Sequence, residues 1–275
     1  MHKDLSRDSK SSDLGFWGKL SLNNPVGFKT LFRKESDRFL SVAIQTLFAP
    51  LVSALLYVAV LGVPMQNMPS QIEGVSFLAF LIPGLVMMGM IHNAFQNCAS
   101  SLMISKYNNT VQELLTLPLS ALEKLMAYMF AGMYRGLLVG FITYLAVLPF
   151  VDIPLEHPVL IVMVSLMVTS TFAAFGIAAG VWATNFDQMA ILNQFLILPL
   201  IFLGGVFYSI ERLPPLFQKI SLLNPVFYMI DSLRYGFLGV SDMSPWISIS
   251  ILAVFQVSSM GLSLWIFKTG YRLQS

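Results

Sequence analysis

Six long apolar segments constrain this chain more than any other feature of its sequence. A bilayer core about 30 Å thick needs roughly 20 apolar residues in a helix that rises about 1.5 Å per residue. Transmembrane β-strands alternate over only about 10 positions, so uniformly apolar runs indicate helices. The predicted fold class is an all-α integral membrane protein with six transmembrane helices. The spans are expected at approximately residues 39–63, 75–98, 125–150, 158–182, 190–209 and 246–267.

The composition excludes an ordinary soluble fold. Apolar residues make up 56% of the 275 positions and charged residues only 11%, against about 25% charge in a typical globular chain. The single cysteine, Cys98, excludes an intrachain disulfide and a cysteine-based metal site. No cleavable signal peptide is expected, because the first apolar run begins only near residue 39 and lacks a small-residue cleavage site.

The basic residues are distributed unevenly about the predicted spans. Twelve of the 16 Lys and Arg fall on the side that holds both termini, and eight of these lie in the first 38 residues. The opposite side carries only Arg212, Lys219 and Arg234. Because Lys and Arg concentrate in cytoplasmic loops, both termini are predicted to be cytoplasmic.

The chain before the first span divides into two parts. Residues 1–13 are polar and are expected to be disordered. Residues 14–38 are predicted to contain a helix in the cytoplasmic membrane interface, with apolar residues on one face and Lys and Arg around it. Asn24 and Pro25 form a good cap and first turn for that helix. The alternative is a disordered basic arm that only sets the topology.

The loop between the second and third spans is predicted to hold a short helix at about residues 108–117. Residues 108–110 can cap it, and Pro118 ends it. Ser120 and Glu123 then form a capping box that opens the third span. The alternative is a plain connecting loop.

The segment between the fifth and sixth spans is too apolar for a solvated loop, yet prolines interrupt it. Proline favours the first turn of a helix and disfavours its interior. Two short helices are therefore predicted at about residues 214–222 and 225–239, the longer rising only about 22 Å. Both are expected to be re-entrant or interfacial on the external side. Asp231 and Arg234, three residues apart on the second, are predicted to pair and help close an external gate.

Polar residues recur at helical spacing toward the cytoplasmic end of the second span. Such groups are costly against lipid, so they should face protein or water. They either line a substrate pathway or bond neighbouring helices together, and the sequence favours neither interpretation. Arg135 in the third span is expected near the inner interface, with a structural role. The candidate pathway residues are His92, Asn93, Gln96 and Asn97.

An ordered set of motifs over about residues 25–270 resembles the ABC-2 class of ABC transporter permeases. The branch that it resembles most contains multidrug-like and nodulation-factor exporter permeases. The motifs are LIPGL at 81–85, ELLTLPLS at 113–120, FLGGVF at 202–207, LPP at 213–215 and NPVFYMIDSLR at 224–234.

The resemblance implies that residues 39–270 form an ABC-2 type transmembrane domain, working as a homodimer above two separate ATPase subunits. It also implies that the helix between spans two and three is the coupling helix that sits in a groove of the ATPase. That role falls on Glu113, Leu114 and Leu115. The chain lacks a Gly-x-x-x-x-Gly-Lys-Ser/Thr run, so ATP is expected to be used by the partner and no cofactor by this chain.

The leading interpretation is therefore the permease subunit, itself not an enzyme, of an ATP-driven exporter in the bacterial inner membrane. The expected substrate is drug-like, lipid or glycan-type, and the expected partners are the ATPase, a second copy and lipid, with no nucleic acid. One alternative is an ion-coupled secondary transporter, which would normally need acidic residues in mid-span. Here every Asp and Glu lies in a loop or at a span end. The other alternative is a membrane scaffold without transport.

Overall fold

The computed structural model describes residues 24–65, 72 and 74–269, apart from the side chain of Leu115. Within these residues every regular element is a helix, which confirms the all-α class. The predicted arm at 1–13 and residues 14–23 of the interfacial region lie outside the described residues. The helices of the described part are α1 Pro25–Leu40, α2 Ile44–Met65, α3 Phe77–Tyr107, α4 Val111–Thr116, α5 Ala121–Val147, α6 Pro158–Trp182, α7 Phe186–Phe202, α8 Pro215–Leu222, α9 Pro225–Leu238 and α10 Pro245–Thr269.

Helix α3 forms the centre of the bundle, and most of its residues are buried. It packs along its length against α5 and α6, and also contacts α2 and α9. Gly176 on α6 lies against the backbone of α3, where a Cβ atom would collide with the carbonyl oxygen of Phe95. Small residues allow such close approach of helices where the surrounding lipid provides no hydrophobic driving force.

Helix α1 begins as predicted, because the side chain of Asn24 accepts a hydrogen bond from the N–H of Gly27 at 2.8 Å. It ends at Leu40, and a turn separates it from α2. The predicted start of the first span at residue 39 is therefore wrong. Phe39 is buried inside the protein as part of α1. Apolarity alone does not distinguish the end of a packed helix from the start of a span.

Among the residues that the structure describes, five helices are long and apolar enough to cross a membrane: α2, α3, α5 with its continuation to Phe150, α6 and α10. The predicted fifth span, 190–209, is only in part a helix. Helix α7 has 17 residues at most and ends at Phe202, which gives it a length of about 26 Å against a core of about 30 Å. The chain turns just after it, where Gly205 has a φ of +82°, a conformation that glycine adopts readily. A sixth crossing thus remains a prediction.

The two short helices after α7 form where the sequence predicted them. Pro215 and Pro225 occupy their first turns, and the side chain of Asn224 accepts the N–H of Val226 at 3.0 Å. Helix α9 ends at Gly239, which has a φ of +71°, as a left-handed glycine cap requires. Most residues of α9 are buried, and the helix packs among α3, α6 and α10. It is therefore an internal part of the bundle.

Candidate functional site

The short helix α4 is briefer than the predicted 108–117 segment. Asn108 ends α3, Asn109 has a φ of +57°, and Thr110 precedes α4 without a side-chain capping bond. Thr110 thus takes the N-cap position within the predicted 108–110 segment, but its side chain forms no capping bond, and Asn108 and Asn109 form the turn between the two helices. Six residues remain in the helix itself.

Leu114, which was predicted to present an apolar face of α4 to a partner, is buried within the chain. Its exposed fraction is 6%, and it belongs to the same apolar cluster as Leu31 on α1 and Leu125 on α5. Glu113 and its neighbours Gln112 and Thr116 are exposed. The described side chains that α4 exposes are thus polar.

Glu123 joins the starts of two helices. Its carboxylate accepts the N–H of Ser120 at 2.7 Å, and the hydroxyl of Ser120 accepts the N–H of Glu123 at 3.2 Å, which confirms the predicted capping box. The other carboxylate oxygen accepts the N–H of Asn24 at 2.8 Å. Asn24 also donates from its side chain to the carbonyl oxygen of Pro118 at 3.3 Å. We call this region the α1–α4–α5 junction.

The polar residues that recur along the cytoplasmic half of α3 are called here the polar stripe. Some of them bond neighbouring helices together, which is one of the two predicted roles. Arg38 on α1 donates to the backbone and side-chain oxygens of Asn97 at 2.8 and 3.1 Å. Glu35, buried to 2% exposure, accepts from Ser101 at 2.6 Å and pairs with Arg38 at 3.2 Å. Sequence analysis missed Glu35 and Arg38 as partners, although their spacing of three placed them on one face of α1.

The rest of the stripe opens onto a cavity of about 640 Å³ between α2, α3 and α5, which we call the polar cavity. Arg135 lines it from the middle of α5 and donates to the side-chain oxygen of Asn93 at 3.2 Å. Asn93 in turn donates to the carbonyl oxygen of Gly89 at 3.0 Å. His92, Asn93 and Gln96 thus line this cavity, whereas Asn97 is not among its lining residues, and a pathway role for all four stays a prediction. The polar side chains around the cavity are Arg38, Gln45, Thr46, Ser53, His92, Asn93, Gln96, Ser100, Arg135 and Thr143.

Asp231 and Arg234, predicted to pair with each other, each bind other groups. Asp231 is fully buried and accepts the N–H groups of Asp242 and Met243 at 2.8 and 3.2 Å. It also accepts from the hydroxyl of Ser248 at 3.4 Å. The carboxylate therefore holds the loop that leads into α10.

Arg234 is also fully buried, and its guanidinium lies 3.8 Å above the ring centroid of Phe80. It donates to the carbonyl oxygen of Gly205 at 2.7 Å, and its closest described carboxylate is that of Asp242, at 3.9 Å. The direct Asp231–Arg234 ion pair is thus not formed. We call these groups the α9 network, and a role in gating stays a prediction.

Burial governs the electrostatics of the α9 network. It raises the pKa of the Asp231 carboxyl to about 6, although the N–H of Asp242 and the charge of Arg234 act in the opposite direction. Burial also lowers the pKa of the Arg234 guanidinium, against the attraction of Asp242 and Asp231. Both charges are therefore held at a cost in desolvation.

Among the described residues, no group of three His, Cys, Asp or Glu side chains is placed to hold a metal ion. Cys98 is buried, and its thiol donates to the carbonyl oxygen of Tyr128 at 3.2 Å. Its surroundings are those of a packing residue.

Comparison with known proteins gives a consistent result. A family model described as "ABC-2 type transporter" matches residues 26–238. The chain is 34% identical to the inner membrane transport permease YadH of Escherichia coli K12, over 91% of this chain and 98% of the relative. It is 23% identical to nodulation protein J of Sinorhizobium fredii, over 88% and 92% of the two chains. It is also 22% identical to nodulation protein J of Rhizobium leguminosarum, over 84% and 90%.

Proposed function

Because the chain belongs to the ABC-2 type transporter family, we propose that it is the membrane subunit of an ATP-driven exporter. The family consists of membrane components rather than ATPases, and its members generally work with an ATP-binding subunit. The chain is accordingly a multi-pass protein of the bacterial inner membrane. Drug-like, lipid and glycan-type molecules are the proposed substrate classes.

The observation that carries this proposal is the position of α4. Its buried side packs through Leu114 into the same cluster as Leu31 and Leu125, on α1 and α5. Its exposed side presents Glu113. A helix of six residues is too short to be stable alone, so it moves with the helices it packs against. We infer that Glu113 contacts the ATP-binding subunit and that Leu114 transmits the displacement. A docking role for Leu115 stays a prediction.

This arrangement requires α4 and both termini to lie on the cytoplasmic side. The twelve-to-three distribution of Lys and Arg supports that orientation. Reporter fusions at residue 112 should report the cytoplasm, and fusions at residue 240 the external side. A reversed result at residue 112 would remove the coupling role of α4.

The described helices give no support to an ion-coupled secondary transporter. Across the five long helices the only carboxylate is Glu123, which lies in the first turn of α5 and binds backbone N–H groups. The buried carboxylate of Asp231 on the shorter helix α9 is likewise occupied by backbone N–H groups, those of Asp242 and Met243. An ion-coupled carrier would normally place a carboxylate at mid-membrane depth. We therefore retain ATP as the energy source.

We further propose that two copies of the chain associate and that α8 and α9 enter the bilayer from the external side. In α2 and in α10, only 22% of the most apolar 18-residue stretch is buried within the chain. Their outer faces are thus available to lipid or to a second copy. The burial of α9 among three longer helices supports a re-entrant position, because backbone at that depth is tolerated when it is packed in protein.

The test uses the tagged full-length chain, purified with the ATP-binding subunit that accompanies it, identified by mass spectrometry. Glu113→Arg should reduce co-purification and ATP hydrolysis at least about tenfold, since a reversed charge at an interface costs several kcal/mol. Glu211→Arg, a reversal at another exposed glutamate on the predicted external side, is the matched control. Equal association of both variants, or ATP hydrolysis by the isolated chain, would refute the proposal.

A further inference from the structure

The polar cavity contains more positive charge than the surrounding protein neutralises. Arg38 and Arg135 both line it. Glu35 pairs with Arg38. Arg135 forms no ion pair with any carboxylate of the described residues, and it bonds only to the neutral side chain of Asn93. A guanidinium has five N–H donors, so most of the donors of Arg135 are free for another acceptor.

Gln96 adds further unused bonding capacity. It lines the same cavity, and its side-chain oxygen is buried without a hydrogen-bond partner. An unpaired buried amide oxygen is costly, because it has lost its hydrogen bonds to water without gaining others. A hydrogen-bond donor that enters the cavity, such as a hydroxyl, an amide N–H or a water molecule, would remove that cost. Gln96 therefore favours a ligand that carries a donor group as well as the acceptor that Arg135 requires.

Apolar side chains line the cavity as well, among neutral polar groups such as Ser53 and Thr143. Tyr57 on α2, Leu85 and Met88 on α3, and Leu198 on α7 line it. Along α3, Leu85 lies 11 residues before Gln96, which corresponds to about 16 Å. The volume of about 640 Å³ falls within the 300–1,000 Å³ typical of ligand pockets, roughly. One end of the cavity is thus cationic and the other is suited to a hydrocarbon chain.

We propose that the polar cavity binds an anionic amphiphile. Its oxyanion (carboxylate, sulfate or phosphate) binds Arg135 in the field of Arg38, and its chain extends toward Leu85 and Met88. Since this names a substrate class for the proposed exporter, it rests on that function. The same chemistry is shared by an anionic membrane lipid and by an amphiphile in transit.

The test measures binding of 11-(dansylamino)undecanoic acid to the full-length chain in phosphatidylcholine nanodiscs, without any ATP-binding subunit. The neutral primary amide of the probe should bind at least about tenfold more weakly, because it lacks a charge-assisted bond to Arg135. Arg135→Gln should weaken binding of the acid by a similar factor, and Arg135→Lys by less. Arg33→Gln is the matched control, because Arg33 is exposed on α1 and pairs with Asp37.

A second arm distinguishes the two sources of the ligand. Adding phosphatidylglycerol to the nanodiscs should displace the probe if a resident lipid occupies the cavity. If the ligand is a transported molecule, the probe should stay bound and should raise ATP hydrolysis of the assembled complex. Either result supports the proposed chemistry.

Equal affinity for the acid and the amide, or unchanged binding by a monodisperse Arg135→Gln variant, would overturn the proposal. Should that variant not fold, the comparison of acid and amide on the unaltered chain decides alone. Because no ATP-binding subunit is needed for the first arm, a failure of Glu113 to dock leaves this result unaffected.

Discussion

The α1–α4–α5 junction and the α9 network both rely on buried carboxylates, but they connect different things. Glu123 joins two segments 99 residues apart along the chain, at the starts of α1 and α5. Asp231 binds a loop only 11 and 12 residues away, inside a fully enclosed site. The first arrangement couples two separate helices, whereas the second fixes a local bend within the bundle.

The groups that the charged side chains bind also differ. In the junction, the carboxylate of Glu123 accepts the backbone N–H groups of Ser120 and Asn24. In the α9 network, Arg234 and Asp242 lie 3.9 Å apart and are almost completely buried. Breaking such a pair leaves a charge without compensation, which costs more than loss of one hydrogen bond. We therefore expect the α9 network to be the less tolerant of the two regions.

The largest effect is expected for Arg234→Leu. It removes the donor to Gly205 and leaves Asp242 buried without a cation, so the free energy of unfolding should fall by about 3–5 kcal/mol. Unfolding in mixed micelles of increasing SDS content measures this value. Adding Asp242→Asn should restore part of the loss. A loss smaller than that of Glu123→Gln would reverse the ranking of the two regions.

The next effect is a pH dependence that arises in the α9 network. Since burial raises the pKa of Asp231 to about 6, the folded state holds its proton more tightly than the unfolded state. Stability should thus be highest below pH 4 and should fall by about 2 kcal/mol as pH rises through 6. Unfolding of the unaltered chain and of Asp231→Asn, compared at pH 4.5 and 7.5, isolates this group. An identical pH response in both would contradict the expectation.

A smaller loss is expected for Glu123→Gln in the junction. The amide keeps one acceptor oxygen and turns an N–H donor toward either Ser120 or Asn24, so the free energy of unfolding should fall by about 1–2 kcal/mol. Glu113→Gln, at an exposed site on α4, is the matched control and should leave stability unchanged. Equal values for the two variants would mean that the junction is held by apolar packing instead.

The smallest effect is expected for Arg33→Gln on the outer face of α1. Arg33 and Asp37 lie 3.5 Å apart with side chains 79% and 62% exposed. Exposed pairs of this kind contribute less than about 0.5 kcal/mol, so the unfolding curve should be unchanged. A clear loss of stability would show that this face of α1 is covered in the assembled protein.

Local signals in the sequence located most of the fold. Helix α6 matches its predicted 158–182 segment in full, because proline marks its start and its residues are uniformly apolar. The capping box at Ser120 and Glu123 was equally predictable from the sequence, because all of its atoms lie within one helical turn. The errors fell where apolarity continues through a change of structure, at Phe39 and at Gly205.

The candidate site was less predictable, because its contacts join distant parts of the chain. The polar stripe on α3 was visible in the sequence. Which of its residues bond to Arg38 and which line the polar cavity depends on how α1 packs, and this was not visible. Likewise, Asp231 and Arg234 have the spacing of an ion pair, yet the carboxylate that lies nearest to Arg234 is that of Asp242. Burial of Leu114 could not be inferred, since a short apolar face suits the inside of the protein as well as a partner.

The enclosure of α9 has a consequence for the order in which the protein is made. One wall of its site is α10, which follows α9 in the chain, and Asp231 receives its hydrogen bonds from the loop before that helix and from Ser248 within it. Until the ribosome has released α10, a carboxylate and a guanidinium on α9 have no enclosed site. Assembly of the α9 network therefore waits for α10, and a chain truncated before Pro245 would leave both ionic groups without the wall that encloses them.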